Sequence, residues 1–146
     1  MDFVNGHEKL TAIFGHWPSF HDAEVLALGY ERQRRVGPTI LLAVHLWEMT
    51  PELDERGYFV LVKHTRATFR FHDCDEIAID ADEFNHQNVL QGLEISHDAD
   101  FLPGRPVRVL FPSIFGLGGS LSCRRAEVVE AVPYKNDQAE GELRYV

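Results

Sequence analysis

The chain has 146 residues, of which 45% are apolar and 25% are charged, and its formal net charge is −9. This length is typical of one domain, and the composition excludes disordered, collagen-like and disulfide-scaffold proteins. No apolar run approaches the roughly 20 residues that span a bilayer, and the first residues lack a signal-peptide pattern, so we expect a cytoplasmic single domain over residues 1–146.

The first predicted element is a short N-terminal helix within residues 1–15. Its apolar residues recur at helical spacing: Leu10, Ile13 and Phe14. Asn5 and Glu8 have the spacing of a capping box, and Gly15 is placed to end the helix. We expect this helix to cover one end of the remaining structure.

A dense aromatic segment follows, with the sequence Trp17-Pro18-Ser19-Phe20-His21-Asp22. One interpretation is a structural corner, in which Trp17 and Phe20 pack under a sheet while His21 or Asp22 hydrogen-bonds backbone groups at the start of a strand. The other interpretation makes His21 and Asp22 part of a functional site. The sequence leaves both interpretations open.

The rest of the chain has the alternation and turn residues of β-strands. About eight strands are predicted, at residues 23–31, 39–47, 58–71, 75–82, 89–95, 107–111, 117–123 and 126–132. In the third segment, Lys63 interrupts the apolar face, which predicts either a bulge or an end of the core. The fold class is therefore α+β, mainly an antiparallel sheet that is curled or sandwich-like, with a frayed tail over residues 135–146.

The negative charge is concentrated between Arg70 and Arg105, where nine carboxylates occur without a Lys or Arg. In the remainder of the chain, the acidic residues equal the basic residues in number. Within residues 75–82, Ile77, Ile79 and Ala81 alternate with acidic residues, which predicts one core face and one acidic face. Such a surface favours a basic partner and disfavours nucleic acid and anionic membranes. The candidate partner-binding residues here are Asp73, Asp75, Glu76, Asp80, Asp82 and Glu83.

Eight histidines suggest an alternative, a small metal-dependent hydrolase. His45 and His64 lie on successive predicted strands and can meet across a hairpin, with His21 or Asp22 as further ligands. The competing interpretation is a set of polar strand faces and hydrogen-bonded loop histidines.

Other catalytic signatures are weaker. Gly118-Gly119-Ser120 lacks the second glycine of a nucleophile elbow and is read as the start of a strand. Cys74 and Cys123 form no C-x-x-C pair, and we expect free buried thiols in a reducing compartment rather than a disulfide. We therefore predict no catalytic residues, no cofactor and no bound metal.

Several short motifs between residues 14 and 123 occur in the same order as in a known protein family. They are Phe14-Gly15-x-Trp17-Pro18-Ser19-Phe20-His21-Asp22-Ala23-Glu24-Val25, Trp47-Glu48-Met49-Thr50, Phe69-x-Phe71, Phe84-Asn85-x-Gln87-Asn88-Val89-Leu90, Phe115-Gly116-Leu117-x-Gly119 and Cys123. Together they resemble the immunity protein 50 family of bacterial polymorphic-toxin systems. The first motif is the most specific of the set.

The resemblance implies a non-enzymatic protein that binds and neutralises a cognate toxin, and it carries over no catalytic residues. The acidic charge agrees with a basic toxin such as a nuclease. Besides the acidic residues, His21 and Asp22 are candidates for the binding surface. The alternatives are the metal-dependent hydrolase and a housekeeping protein-interaction module.

Overall fold

A computed structural model describes residues 1–82, 84–85 and 87–135. In chain order the elements are β1 (Val4–Asn5), α1 (Glu8–Phe14), β2 (Glu24–Glu31), β3 (Thr39–Leu53), β4 (Phe59–His72), β5 (Asp75–Asp80), β6 (Val89–Leu90), β7 (Glu94–His97), β8 (Val107–Phe111), β9 (Ser113–Phe115), β10 (Gly118–Cys123) and β11 (Arg125–Pro133). The predicted α+β class with one short N-terminal helix is confirmed. The described residues form eleven strands rather than about eight, because β1 and β9 are very short and residues 89–95 divide between β6 and β7.

The strands form two sheets. The larger sheet has the order β1-β11-β4-β3-β2-β6-β9, and the smaller has the order β5-β10-β8-β7. The ladders are antiparallel except for β1 and β11, which run parallel. One hydrophobic cluster contains inward residues of both sheets, such as Phe69 and Phe71 of β4 and Val109 of β8. The sandwich-like prediction therefore describes the molecule well.

The N-terminal helix is confirmed, but the predicted capping box is wrong. His7 occupies the N-cap position without a side-chain cap bond. Asn5 instead belongs to β1, where it lies opposite Glu127 of β11. At the other end, Gly15 adopts a left-handed conformation with φ 80°, and its N–H donates to the carbonyl of Thr11 at 2.8 Å. A glycine cap of this kind ends the helix as predicted.

The irregularity predicted at Lys63 is present. Leu46 pairs with Thr65 while Glu48 pairs with Val62, so two residues of β4 face one residue of β3. Lys63 itself has a positive φ of 56°. This bulge also marks the end of the core, because Thr65 is buried and Leu61 is exposed. Both explanations offered for Lys63 therefore apply.

Beyond the bulge, β3 and β4 continue without neighbours among the described strands. The pairing of β2 with β3 stops at Glu24 opposite His45, and the pairing of β11 with β4 stops at Pro133 opposite Thr65. We call residues 47–62 the hairpin arm. The arm is a two-stranded extension of the larger sheet.

Candidate protein-binding surface

Most of the predicted acidic surface lies on β5, which is an edge strand of the smaller sheet. Asp75, Glu76, Asp80 and Asp82 are all exposed. Ile77 and Ile79 pack against the core as predicted, but Ala81 is exposed because β5 ends at Asp80. Glu83 lies outside the described residues.

A bulge changes which acidic residues share a face of β5. Ser120 pairs with Ala78 and Ser122 pairs with Asp75, so β5 contains one more residue than β10 over this interval. Glu76 occupies the irregular position with a positive φ of 48°. Because residues two apart on a strand share a face, the register places Asp75 on the same face as Asp80. The regular alternation predicted for residues 75–82 therefore fails at Glu76.

Asp73 differs from the exposed acidic residues because its side chain is largely enclosed in a structural ion-pair network, whose Arg105 also lies 3.5 Å from Asp75. The Asp73 side chain is only 13% exposed, and its Oδ1 accepts hydrogen bonds from Arg105 Nη2 and from the Gly37 N–H, each at 2.8 Å. Burial alone raises the pKa of Asp73, but the hydrogen bonds from Gly37 and Arg105 and the charges of Arg105 and Arg124 outweigh it. The net effect lowers the pKa of Asp73, so the carboxylate stays ionised.

The aromatic corner has the predicted structural role. The Phe20 ring lies 5.7 Å from the Phe69 ring and 5.6 Å from the Trp17 ring, centroid to centroid. Phe20 is buried and Trp17 packs against the core as a partly buried residue. The corner thus anchors the start of β2 under the larger sheet.

His21 and Asp22 do not cap the strand with their side chains. His21 Nδ1 lies 3.2 Å from Asp22 Oδ2, and both side chains are substantially exposed. The backbone N–H of Asp22 donates to the carbonyl of Leu90 at 3.0 Å, which ties the corner to β6. This pair therefore belongs to the larger sheet, whereas the β5 acidic residues belong to the smaller one.

The predicted meeting of His45 and His64 is confirmed, and the structure adds a third member. His45 Nε2 lies 2.9 Å from His64 Nδ1, and His45 Nδ1 lies 2.6 Å from Glu24 Oε1. His45 is buried, with the rings of Trp47 and Tyr134 at 4.9 and 4.5 Å. Burial and the neighbouring His45 lower the pKa of His64, against a hydrogen bond to the Leu61 backbone and the charge of Glu24.

These contacts occupy three of the four ring nitrogens of His45 and His64. His45 uses both of its nitrogens on protein partners, and His64 uses Nδ1 on His45. Within residues 1–82, 84–85 and 87–135, no three His, Cys, Asp or Glu side chains are placed to hold a metal ion. Glu24 was missed by sequence reasoning because its contact depends on the register of β2 against β3.

A surface depression of about 400 Å³ was also missed. Its basic lining residues are Arg70, His72, Arg124 and Arg125. Acidic partners compensate part of this charge, since His72 Nε2 lies 2.6 Å from Glu127 Oε1 and Arg124 Nε lies 3.7 Å from Asp73 Oδ2. The hydrogen bond from His72 is the main reason that the pKa of Glu127 is lowered. The sequence did contain one indication of this basic surface, because Arg70 and His72 alternate with Phe69 and Phe71 along β4.

The two cysteines are free and buried, as predicted. Burial raises the pKa of the Cys74 thiol to about 12 and also raises the pKa of Cys123. Thiols in this state are poor nucleophiles, because the thiolate is the reactive form.

In the described part of the chain, no helix is long and apolar enough to cross a bilayer. Comparisons with curated proteins and with solved structures gave no match. A protein-family model described as Immunity protein 50 does match, and its match extends over residues 6–134. The resemblance seen in the short motifs is thereby confirmed over most of the chain, and the protein belongs to the immunity protein 50 family.

Proposed function

We propose that this protein neutralises a cognate toxin domain by binding it through the acidic surface of β5 and the turn that follows. The proposed contact residues are Asp75, Glu76, Asp80, Asp82 and Glu83, with Asp73 supporting the start of the strand. The partner is a basic protein, such as a nuclease, that meets the immunity protein in the cytoplasm. The proposed action is stoichiometric binding without catalysis.

The observation that carries the proposal is that three acidic residues of β5 and the turn after it lack a compensating charge. Glu76, Asp80 and Asp82 are exposed and form no ion pair with any described residue. Arg105 contacts Asp73 and Asp75 at the start of β5, and Arg70, the nearest Lys or Arg along the chain, lies 3.8 Å from Glu127 instead. Membership of an immunity protein family supplies the kind of partner that such a surface suits.

A purely structural role for these charges is the competing explanation. Exposed edge strands tend to pair with other chains, and charged side chains on an edge suppress that pairing. The two explanations differ in one respect. A protective edge requires no specific partner, whereas a binding surface changes the kinetics of one particular association.

The test is a triple variant, Glu76→Gln, Asp80→Asn and Asp82→Asn, measured for binding to the toxin domain encoded by the neighbouring gene. Slower association and a flatter dependence on ionic strength are expected if the acidic residues attract the partner. A matched variant, Asp2→Asn, Glu8→Gln and Glu130→Gln, removes the same charge from exposed positions elsewhere. Equal kinetics for both folded variants would contradict the proposal.

His21 and Asp22 form a second candidate contact and require a separate variant. The double change His21→Gln and Asp22→Asn keeps the size of the exposed pair and removes its charge. Faster toxin dissociation from this variant, with an unchanged midpoint of thermal unfolding, would place the corner in the interface. Unchanged dissociation would restrict the proposed surface to the β5 acidic residues.

A further inference from the structure

We propose that the hairpin arm, residues 47–62, is the apolar anchor that the toxin domain buries, and that it fits an apolar groove bordered by basic groups. The proposal rests on the proposed function, because the partner is the same toxin. It differs in the surface used and in the kinetic step affected. The acidic residues of β5 govern the approach of the partner, and the arm governs how long the partner stays bound.

Four apolar side chains share one face of the arm and are open to solvent. Met49 lies opposite Leu61, and Leu53 lies opposite Phe59. Their exposed fractions are 58% for Met49, 37% for Leu61, 61% for Leu53 and 52% for Phe59. Side chains opposite each other across an antiparallel pair lie on the same face, so these two pairs form one continuous apolar patch. Contiguous exposed apolar surface of this kind marks interaction sites.

The patch continues into the body of the sheet through Trp47. Trp47 and Met49 are two apart on β3 and therefore share a face. The Trp47 ring lies 4.9 Å from the His45 ring and 6.1 Å from the His64 ring, so it is fixed from behind while remaining partly exposed. Tryptophan and tyrosine are enriched among residues that dominate binding energy.

Hydrogen bonds hold the arm in one shape before binding. Asp54 Oδ1 accepts from the N–H of Arg56 at 2.9 Å and from the N–H of Tyr58 at 3.0 Å. The Thr50 hydroxyl donates to the carbonyl of Val60 at 2.8 Å across the two strands. A surface ordered in advance loses less conformational entropy on binding.

The acidic charge around the apolar patch of the arm favours a basic partner over a second copy of this chain. Near its tip the arm carries Glu52, Asp54 and Glu55 against Arg56 alone, and Lys63 at its base is paired with Glu48 at 3.2 Å. A second copy of the chain would bring an equally acidic tip and a net charge of −9 to the contact. Like charges placed together oppose association, whereas a partner with basic groups around an apolar groove is complementary.

The arm and the start of β5 are well separated. They lie at opposite ends of β4, whose 14 residues span on the order of 45 Å at about 3.3 Å per residue. Substitutions on the arm therefore leave Asp75 and its neighbours undisturbed. The two surfaces are testable one at a time in the same assay.

The experiment compares Phe59→Ser combined with Leu61→Ser against a matched control, Phe115→Ser. Phe115 is 52% exposed, as is Phe59, but it lies on β9 at the far edge of the larger sheet. The expected result is at least about tenfold faster toxin dissociation for the arm variant, little change in association, and wild-type kinetics for the control. Leu53→Ser, at a highly exposed position, provides a second arm variant if the double variant unfolds.

The possible outcomes separate the two proposals. If the wild-type protein fails to bind the toxin, the proposed function is wrong. If the wild type binds and the folded arm variants dissociate at the wild-type rate, only the anchor role is wrong. Light scattering on the unbound protein is expected to give a monomer mass, and a dimer that the arm variants disrupt would assign this face to self-association and overturn the toxin as its occupant.

Discussion

Arg105 holds Asp73 at two points, from Nη2 to the carboxylate at 2.8 Å and from Nε to the backbone carbonyl at 2.9 Å. Asp73 has a positive φ of 57° and lies between β4 of the larger sheet and β5 of the smaller one. The Gly37 N–H, from a third segment of the chain, donates a further hydrogen bond to the Asp73 carboxylate. One carboxylate therefore fixes the point where the chain passes from one sheet to the other.

Asp73→Asn tests the contribution of this charge. Asparagine tolerates positive φ and retains an acceptor for Gly37, but it weakens the charged hydrogen bonds to Arg105. The free energy of unfolding at pH 7 is expected to fall by about 1.5–3 kcal/mol. Asp82→Asn, at an exposed position, serves as the control and is expected to stay within about 0.5 kcal/mol of the wild type.

The lowered pKa of Asp73 also predicts that its contribution to the free energy of unfolding depends on pH. Because the pKa of Asp73 is lower in the folded state, its stabilisation is complete above the unfolded pKa of about 3.9 and is lost as the pH falls through the folded value. Urea unfolding of wild type and Asp73→Asn is expected to converge under acid conditions. A stability difference that remains constant at strongly acidic pH would contradict the electrostatic explanation.

Phe20→Ala tests the aromatic corner. Phe20 is only 2% exposed and contacts Phe69, so its truncation is expected to cost about 3–5 kcal/mol of unfolding free energy. Trp17→Ala is expected to cost less, because Trp17 is only partly buried. Denaturant midpoints of the two variants measure the difference. Unchanged midpoints together with lost toxin binding would make the corner a recognition surface instead of a core anchor.

His64→Gln tests the histidine pair by its pH dependence. Since the pKa of His64 is lowered in the folded state, the unfolded chain binds more protons just below pH of about 6.5. Wild-type stability is therefore expected to decline as the pH falls through that range, and His64→Gln is expected to lessen the decline. His16→Gln, at an exposed histidine, is the control. Equal pH profiles for the wild type and His64→Gln would contradict the prediction.

Thiol labelling tests the burial of Cys74 and Cys123. Because both are buried and both pKa values are raised, neither is expected to react with a disulfide reagent in the native protein. Both are expected to react once guanidinium unfolds the chain. Rapid native labelling of one thiol equivalent would show that one of the two is accessible.

Strand positions and inward residues were predictable wherever a strand has neighbours on both sides. Phe69 and Phe71 alternate with polar residues, and β3 and β11 flank β4 at these positions, so alternation and burial coincide. Phe59 and Leu61 are apolar residues of the same strand but remain exposed. The spacing gives all four residues one parity, but the bulge at Lys63 places Phe59 and Leu61 on the opposite face of the sheet from Phe69 and Phe71. Periodicity therefore indicates which side a residue faces only as far as the next bulge, and it does not indicate whether another element covers that side.

The candidate surfaces depended on details that alternation does not contain. The bulge at Glu76 changes which acidic residue joins Asp80, and nothing in the spacing of the carboxylates predicts a positive φ there. The contact between Glu24 and His45 follows from the register of two strands. The ion pair of Asp73 with Arg105 joins residues that are far apart in the sequence and that only the tertiary fold brings together. Because the sequence does not show this pair, Asp73 was predicted to belong with the exposed acidic residues.

The parallel pairing of β1 with β11 has a consequence for folding kinetics. It places Val4 opposite Ala126, more than 120 residues away, while β11 also forms the ladder that completes β4. Loop closure over such distances is slow, and folds dominated by non-local strand pairing commonly need milliseconds to seconds. The hairpin of β3 and β4 is local and is expected to form first. The larger sheet then closes only when the last described strand docks between the first strand and β4, and we expect this docking to be the slow step of folding.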